Sequence, residues 1–268
     1  MIAAARKGSP LVIGLGTNEN IAASDLAAIL PYTRQVMYLN DGDIAAITAD
    51  TVEVRNIENV PLEREVTRIE WDADAVEKGS YPHFMLKEIF EQPETIENAI
   101  RGRLDHEMKS AILSGLNLTP RESAQISRIV IAGCGSSMHA GLVGEYFFED
   151  IAGIPAEVEQ AAEFRYRNPI IEPHTLVLPI SQSGETADTL AALRLAKEKG
   201  CIAIALCNVV GSSIPREADA VIYTQAGPEI SVASTKAMCS QMVIMALIAV
   251  AGGEVLGIAL GKLFELLL

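Results

Sequence analysis

Apolar positions along the chain follow two different periods, and the change falls near Tyr81. Ahead of it, short apolar runs alternate with polar punctuation: LVIGLG at 11–16, SDLAAIL at 24–30 and QVMYLNDGDIAAITADTVEV at 35–54. The spacing predicts strands with one short helix, and the Asp41-Gly42 step between apolar runs predicts a hairpin. The alternation from Thr51 to Arg55 is strand-like. Residues 10–55 alone are too few to close a core. Residues 56–80, polar and charge-mixed with Pro61 and Gly79 as punctuation, read as a connector.

From Tyr81 to Gly102 the residues Phe84, Met85, Ile89, Phe90, Ile96 and Ile100 recur at helical spacing, with Pro93 interrupting or restarting the helix. A second amphipathic helix is predicted over His106–Leu113. Beyond it, β-type runs at 127–133, 156–160, 174–181, 201–207 and 220–224 alternate with helices over Ser137–Phe148, Thr186–Lys199 and Ser234–Ala251. Five such runs separated by helices call for an α/β fold, a five-stranded parallel sheet flanked by helices on both faces.

An apolar share of 49% over 268 residues is ample for a core. The net charge of −14 and pI near 4.7, with no Lys/Arg-rich run, exclude a nucleic-acid surface, so an anionic ligand must be held locally against the field of the protein. Cys134, Cys201, Cys207 and Cys239 show no CxxC spacing and no clustered histidines, which argues for reduced thiols and no metal site. The opening MIAAARKGSPLV is too weakly apolar for a signal peptide, and the run Met242–Ala251 is shorter than a membrane span, so a cytoplasmic chain without a membrane partner is expected. Gly14-Leu15-Gly16 carries Glu19 where a dinucleotide loop needs its third glycine, and no cofactor is expected.

The chemistry sits in two loops. The first strand of the alternating region ends in Gly133-Cys134-Gly135-Ser136-Ser137, and the third in Ser181-Gln182-Ser183-Gly184-Glu185-Thr186, each directly before a helix. Such loops present backbone N–H groups and hydroxyls at a helix N-terminus, where the helix dipole favours an anion. In a flavodoxin-like strand order these two strands are neighbours, and the crevice between their carboxyl ends is the expected ligand site. Neither loop holds Lys or Arg, so a phosphate would be bound by neutral donors, as in a backbone nest. One serine-rich loop would read as an ordinary N-cap; two at the switch point favour a ligand. A third loop, Glu229–Lys236, opens the last helix with three hydroxyls and reads by itself as an N-cap with a solvated lysine.

The strings SQSGETADT, GCGSS and EISVASTKA resemble the first sugar isomerase (SIS) domain of the glucosamine-6-phosphate synthase (glutamine:fructose-6-phosphate amidotransferase) family. GSPLVIGLG, ASD and LNDGDIA resemble the closing strands of that family's glutaminase domain, and HFMLKEIFEQPETI its interdomain helical segment. The resemblance implies three regions: 1–60, the end of a β-rich N-terminal-nucleophile glutaminase domain; 61–105, connector and interdomain helices; 106–268, the first SIS domain. It implies that Cys134, Gly135, Ser136, Ser137, Ser181, Gln182, Ser183 and Thr186 contact a sugar phosphate, with Ser181, Ser183 and Thr186 on the phosphate and Gln182 on sugar hydroxyls. Val232 and Ser234 would line the sugar end. Fructose 6-phosphate and glucosamine 6-phosphate are the implied ligands, and a homodimer through SIS domains the implied assembly.

Against the family pattern, residue 2 is Ile rather than the glutaminase cysteine, and every cysteine lies beyond position 130. The family's isomerase acid and base come from a second SIS domain and a C-terminal tail, whereas this sequence ends at GKLFELLL. His139 reads as packing or surface and Glu185 as complementing a helix dipole. The expectation is therefore a piece of the aminotransferase that binds the sugar phosphate and carries no catalytic residues. A non-catalytic sugar-phosphate sensor and a stand-alone phosphosugar isomerase are the competing readings.

Overall fold

The computed structural model describes residues 1–8, 10–69, 78–105, 107, 110–113, 115–116 and 118–255. The chain divides into two units, residues 1–84 with 228–230, and residues 85–227 with 231–268.

Among the described residues the first unit contains β1 (Ile2–Ala5), β2 (Val12–Leu15), β3 (Asn20–Ala23), β4 (Gln35–Tyr38), β5 (Ile44–Ile47), β6 (Val52–Arg55), β7 (Pro61–Leu62) and β8 (Val66–Arg68), with a 3₁₀ turn at Leu26–Ala28. They form two antiparallel sheets, ordered β1-β5-β6-β7 and β3-β2-β4-β8. Ile13 and Met37 from one sheet share a core with Ala45, Ile47 and Val54 from the other. The Asp41-Gly42 step therefore joins strands of different sheets and is not a hairpin. Its geometry follows from local bonds: Asn40 N–H reaches Asp43 Oδ2 at 2.7 Å, Arg6 N–H reaches the Asp43 carbonyl at 3.0 Å, and Gly42 N–H reaches the Arg6 carbonyl at 2.9 Å. Pulling the chain back onto β1 leaves no room for β4 and β5 to pair. Residues 61–62 and 66–68, read from sequence as connector, are edge strands paired to β6 and β4; residues 70–77 of that connector lie outside the described residues.

The second unit opens within α1 (Phe84–Phe90), from Met85 on, and continues into α2 (Gln92–Ile100), where Pro93 restarts the helix in its first turn, a place that needs no N–H. The helix predicted over 106–113 is corrected at its described residues. β9 (Leu104–Asp105) and β10 (Ser110–Ala111) pair antiparallel, and Ile112 N–H closes on the Arg103 carbonyl at 2.9 Å. Asp105 Oδ1 accepts the Glu107 N–H at 3.0 Å, a side-chain turn that competes with helix initiation. His106 lies outside the described residues.

Then follow α3 (Pro120–Gln125), β11 (Arg128–Gly133), α4 (Ser136–Phe147), β12 (Ala156–Gln160), α5 (Ala161–Tyr166), β13 (Thr175–Ser181), α6 (Ala187–Glu198), β14 (Ile202–Cys207), α7 (Ser213–Glu217), β15 (Ala220–Tyr223) and α8 (Lys236–Val255). The parallel sheet runs β12-β11-β13-β14-β15, the flavodoxin-like order expected from sequence. Its residues divide by period two. Ile129, Ile131, Leu178, Ile180 and Leu206 pack with α4 and α8, while Val130, Val177, Ala203 and Ala205 pack with α5, α6 and α7. Residues 236–253 of α8 are long and apolar enough to cross a membrane by composition alone, but 67% of that stretch is buried, as in a core helix.

In the first unit, Asp43 is 2% exposed and holds Arg64 through two bonds of 2.7 Å. Burial by itself would raise the carboxyl; the bonds from Arg64 and Asn40, with the charge of Arg6, outweigh it and hold the group below its ordinary value. A depressed carboxyl contributes stability that is fully present above its unfolded value and is lost as pH falls through the folded one. Arg64→Met is expected to cost this unit about 3 kcal/mol at neutral pH. Urea unfolding at pH 7 and pH 3 should show the difference between wild type and variant shrinking at the lower pH.

Candidate functional site

β11 and β13 run side by side in parallel register, Gly133 beside Ile180, so their loops emerge next to one another. The helices that follow, α4 and α6, leave to opposite faces, which opens the crevice. Of the residues singled out from sequence, Cys134 to Ser137 form the first wall and Ser181 to Thr186 the second. Thr189 Oγ1, in the first turn of α6, approaches Cys134 Sγ at 3.9 Å and ties the walls together.

Glycine shapes both loops. Gly135 is the N-cap of α4 at φ 55°, ψ −130°, a conformation that side chains resist. Gly184 has φ +67°, and a Cβ there would collide with Ser212 Oγ and lie 2.8 Å from Ser212 Cβ. Ser212 is fully buried and donates to the Val209 carbonyl at 2.8 Å, so it cannot yield.

The hydroxyls can be counted as donors. Ser181 Oγ accepts the Gly184 N–H at 3.0 Å and shares one hydrogen with Thr186 Oγ1 at 2.9 Å. That pair has two hydrogens and uses one. Ser183 Oγ accepts the Glu185 N–H at 3.2 Å, and its own hydrogen remains to be donated. Ser137, 8% exposed, accepts from Gln241 Nε2 at 3.1 Å and likewise keeps its hydrogen. At least three hydroxyl hydrogens thus stand at the N-termini of two twelve-residue helices without an acceptor among the described residues. Ser136 and Gln182 are half-buried or more open beside them. Such an arrangement suits a dianion, whose oxygens only accept.

The remaining expectations are adjusted by the geometry. Glu185 lies ahead of α6, whose N-cap is Thr186, and its Oε1 accepts the Ser213 N–H of α7 at 2.8 Å, so it serves another helix than its own. His139 is exposed on α4. Val232 is fully exposed, and Ser234 Oγ accepts the Met238 N–H at 3.2 Å, a capping role. Lys236 is not a solvated charge: it is 3% exposed and pairs with Glu91 at 2.6 Å, while Glu88, also buried, takes the Ser231 N–H at 3.1 Å. α1 and α2 thereby anchor the entry into α8.

Two buried amides escaped the sequence reading. Asn208, directly after β14, accepts from Thr224 Oγ1 and Ala226 N–H at 2.9 Å each and donates to the Gly227 carbonyl at 2.6 Å, while its own N–H meets the Gln182 carbonyl at 3.3 Å. Gln241 is the other. Both are polar residues flanked by apolar runs, the signal that a buried position has a partner.

Comparison with known proteins places these observations. A family model described as SIS domain matches residues 124–251. The glutamine–fructose-6-phosphate aminotransferase (isomerizing) of Chlorobaculum tepidum is 53% identical over 250 residues, 93% of this chain and 41% of that protein. Its counterpart from Thermus thermophilus is 48% identical over 256 residues, 96% of this chain and 42% of the relative. The chain thus spans about two fifths of the length of these curated relatives. Among solved structures, the C-terminal domain of glucosamine-fructose-6-phosphate aminotransferase from Francisella tularensis superposes with a TM-score of 0.67 at 38% identity, covering 71% of this chain and 55% of that one. Glucosamine-6-phosphate deaminase from Thermotoga maritima, at TM-score 0.51 and 22% identity over 69% of this chain and 52% of its own, shares the fold alone.

Two outcomes follow from this packing. Gly184→Ala is expected to destabilise the second unit by about 3 kcal/mol, from the strained φ and the overlap with Ser212 together, read as a lower urea midpoint. Lys236→Met should cost about 3 kcal/mol by leaving Glu91 without its 2.6 Å partner. Adding Glu91→Gln to Lys236→Met should recover part of that loss, because it removes a carboxylate left with Lys87 alone, at 3.5 Å.

Proposed function

We propose, from the match of residues 124–251 to the SIS domain and of the chain to a segment of the glutamine–fructose-6-phosphate aminotransferases, that its crevice binds the phosphate group of fructose 6-phosphate or glucosamine 6-phosphate. The observation that carries the reading is the set of hydroxyl hydrogens, without acceptors among the described residues, at two adjoining helix N-termini. Ser181, Ser183, Thr186 and Ser137 donate to the phosphate, assisted by the backbone of Cys134, Gly135 and Ser136. Gln182 meets the sugar hydroxyls, with Val232 and Ser234 at the sugar end. Residues 1–60, with the edge strands at 61–62 and 66–68, are the closing part of a glutaminase domain, the stretch from there to 105 carries the connector and interdomain helices, and 106–268 is the first SIS domain of an aminotransferase that makes glucosamine 6-phosphate from fructose 6-phosphate and glutamine in the cytoplasm, as a homodimer.

Within these loops nothing is placed to move a proton between C1 and C2 of a ketose phosphate, which needs a positioned acid and base. Glu185 is committed to the N–H of Ser213, and His139 lies on α4 beyond the loop that precedes it. The chain by itself is therefore a binding module, and turnover belongs to a larger assembly.

Calorimetric titration of fructose 6-phosphate tests this. Ser183→Ala should weaken binding by about 1.5 to 3 kcal/mol, the value of one hydrogen bond to a charged group, with inorganic phosphate weakened in parallel. Equal affinity for wild type and variant would remove that loop from the phosphate site.

A further inference from the structure

Among the described residues, Gln241 is the buried amide that reaches the first wall of the crevice from another helix. It sits in the apolar stretch of α8, is 1% exposed, and its Nε2 donates to Ser137 Oγ at 3.1 Å. Its Oε1 is buried with no hydrogen-bond partner among the described residues. A glutamine placed only to hold α8 against α4 would be expected to satisfy both ends, because an unmade buried bond is unfavourable.

The bond has a direction. An amide nitrogen can only donate, so Ser137 Oγ acts as acceptor toward Gln241. The Ser137 hydroxyl has a single hydrogen, and it is then excluded from pointing at α8. It must turn elsewhere, and no acceptor among the described residues takes it. We infer that Gln241 is a positioning residue of the sugar-phosphate site: by donating to Ser137 it fixes that hydroxyl as a donor toward the ligand anion. This inference rests on the phosphate reading above and adds to it a residue that lies outside all three loops.

A double-mutant cycle with fructose 6-phosphate as the probe, read by calorimetry, tests it. Gln241→Met keeps length and removes both hydrogen-bonding atoms. In the otherwise wild-type protein it should weaken binding about 3- to 10-fold, and in the Ser137→Ala background less than about 2-fold, because the hydroxyl it positions is gone. An equal loss in both backgrounds would mean a general packing effect and would overturn the inference, as would no loss in either. Failure of the unmutated chain to bind millimolar fructose 6-phosphate overturns the phosphate reading itself and this inference with it, whereas uncoupled losses overturn the inference alone. Should Gln241→Met not fold, the side-chain amide signals of Gln241 by NMR carry the same test. A ligand-induced shift present in wild type and absent in Ser137→Ala supports the positioning role, and the same shift in both removes it.

Discussion

The parallel pairing of β11 with β13 is the constraint on which the crevice depends. These strands are far apart in sequence and adjacent in the sheet, because β12 turns back to the other side of β11. Their neighbouring carboxyl ends send α4 and α6 to opposite faces, and the space so opened lies between two helix N-termini. Every other feature of the site adjusts this space. Gly135 and Gly184 let the backbone turn tightly at its rim, Thr189 and Cys134 join its walls, and Asn208 fastens the loop after β15 to the end of β13. A change in strand order would disperse the hydroxyls even if each kept its local turn.

On the proposed reading, the electrostatic problem is an anion inside an acidic protein. A net charge of −14 makes the approach of a phosphate unfavourable at long range, and no Lys or Arg stands in either loop to offset it. The solution in this fold is short-ranged and neutral. Backbone N–H groups, helix dipoles and hydroxyl hydrogens act over a few ångströms, where screening by solvent is least. Lys236, which closes the third loop, is instead neutralised by Glu91. Neutral donors also discriminate: they reward an acceptor of the right shape rather than any negative charge.

The sheet was legible because its strands are short apolar runs, each followed by a longer segment of helical length. The two loops were legible because each packs more small hydroxyl residues between a strand and a helix than an N-cap requires, and both fall at the switch point. What escaped was decided by partners distant in sequence. Asp41-Gly42 has the composition of a hairpin, yet the bonds of Asp43 to Arg64 and of Arg6 to Asp43 draw the chain across to the other sheet. Residues 106–113 show helix-compatible spacing, but Ser110–Ala111 pairs with Leu104–Asp105 as short strands. Lys236 looked solvated because nothing in its neighbourhood announces Glu91, 145 positions earlier. Short-range pattern finds elements, and it does not find the ion pairs and buried amides that fix how they meet.

α8 shows how such a partner changes the meaning of a helix. By hydropathy it is a uniform apolar cylinder, and its Ser240 and Gln241 look like flaws in it. Both are almost fully buried, where an uncompensated hydroxyl or amide is unfavourable. Ser240 donates to the Thr95 carbonyl of α2 at 3.4 Å, and Gln241 donates to Ser137 of α4 at 3.1 Å. A slide of α8 along its axis by one residue, about 1.5 Å, would break both bonds and unseat Met245, which packs closely on Gly144 of α4. The two polar residues therefore set the register together with that close contact. Because one of them ends on a hydroxyl of the crevice, the register of the core helix and the orientation of a site donor are fixed by the same bond.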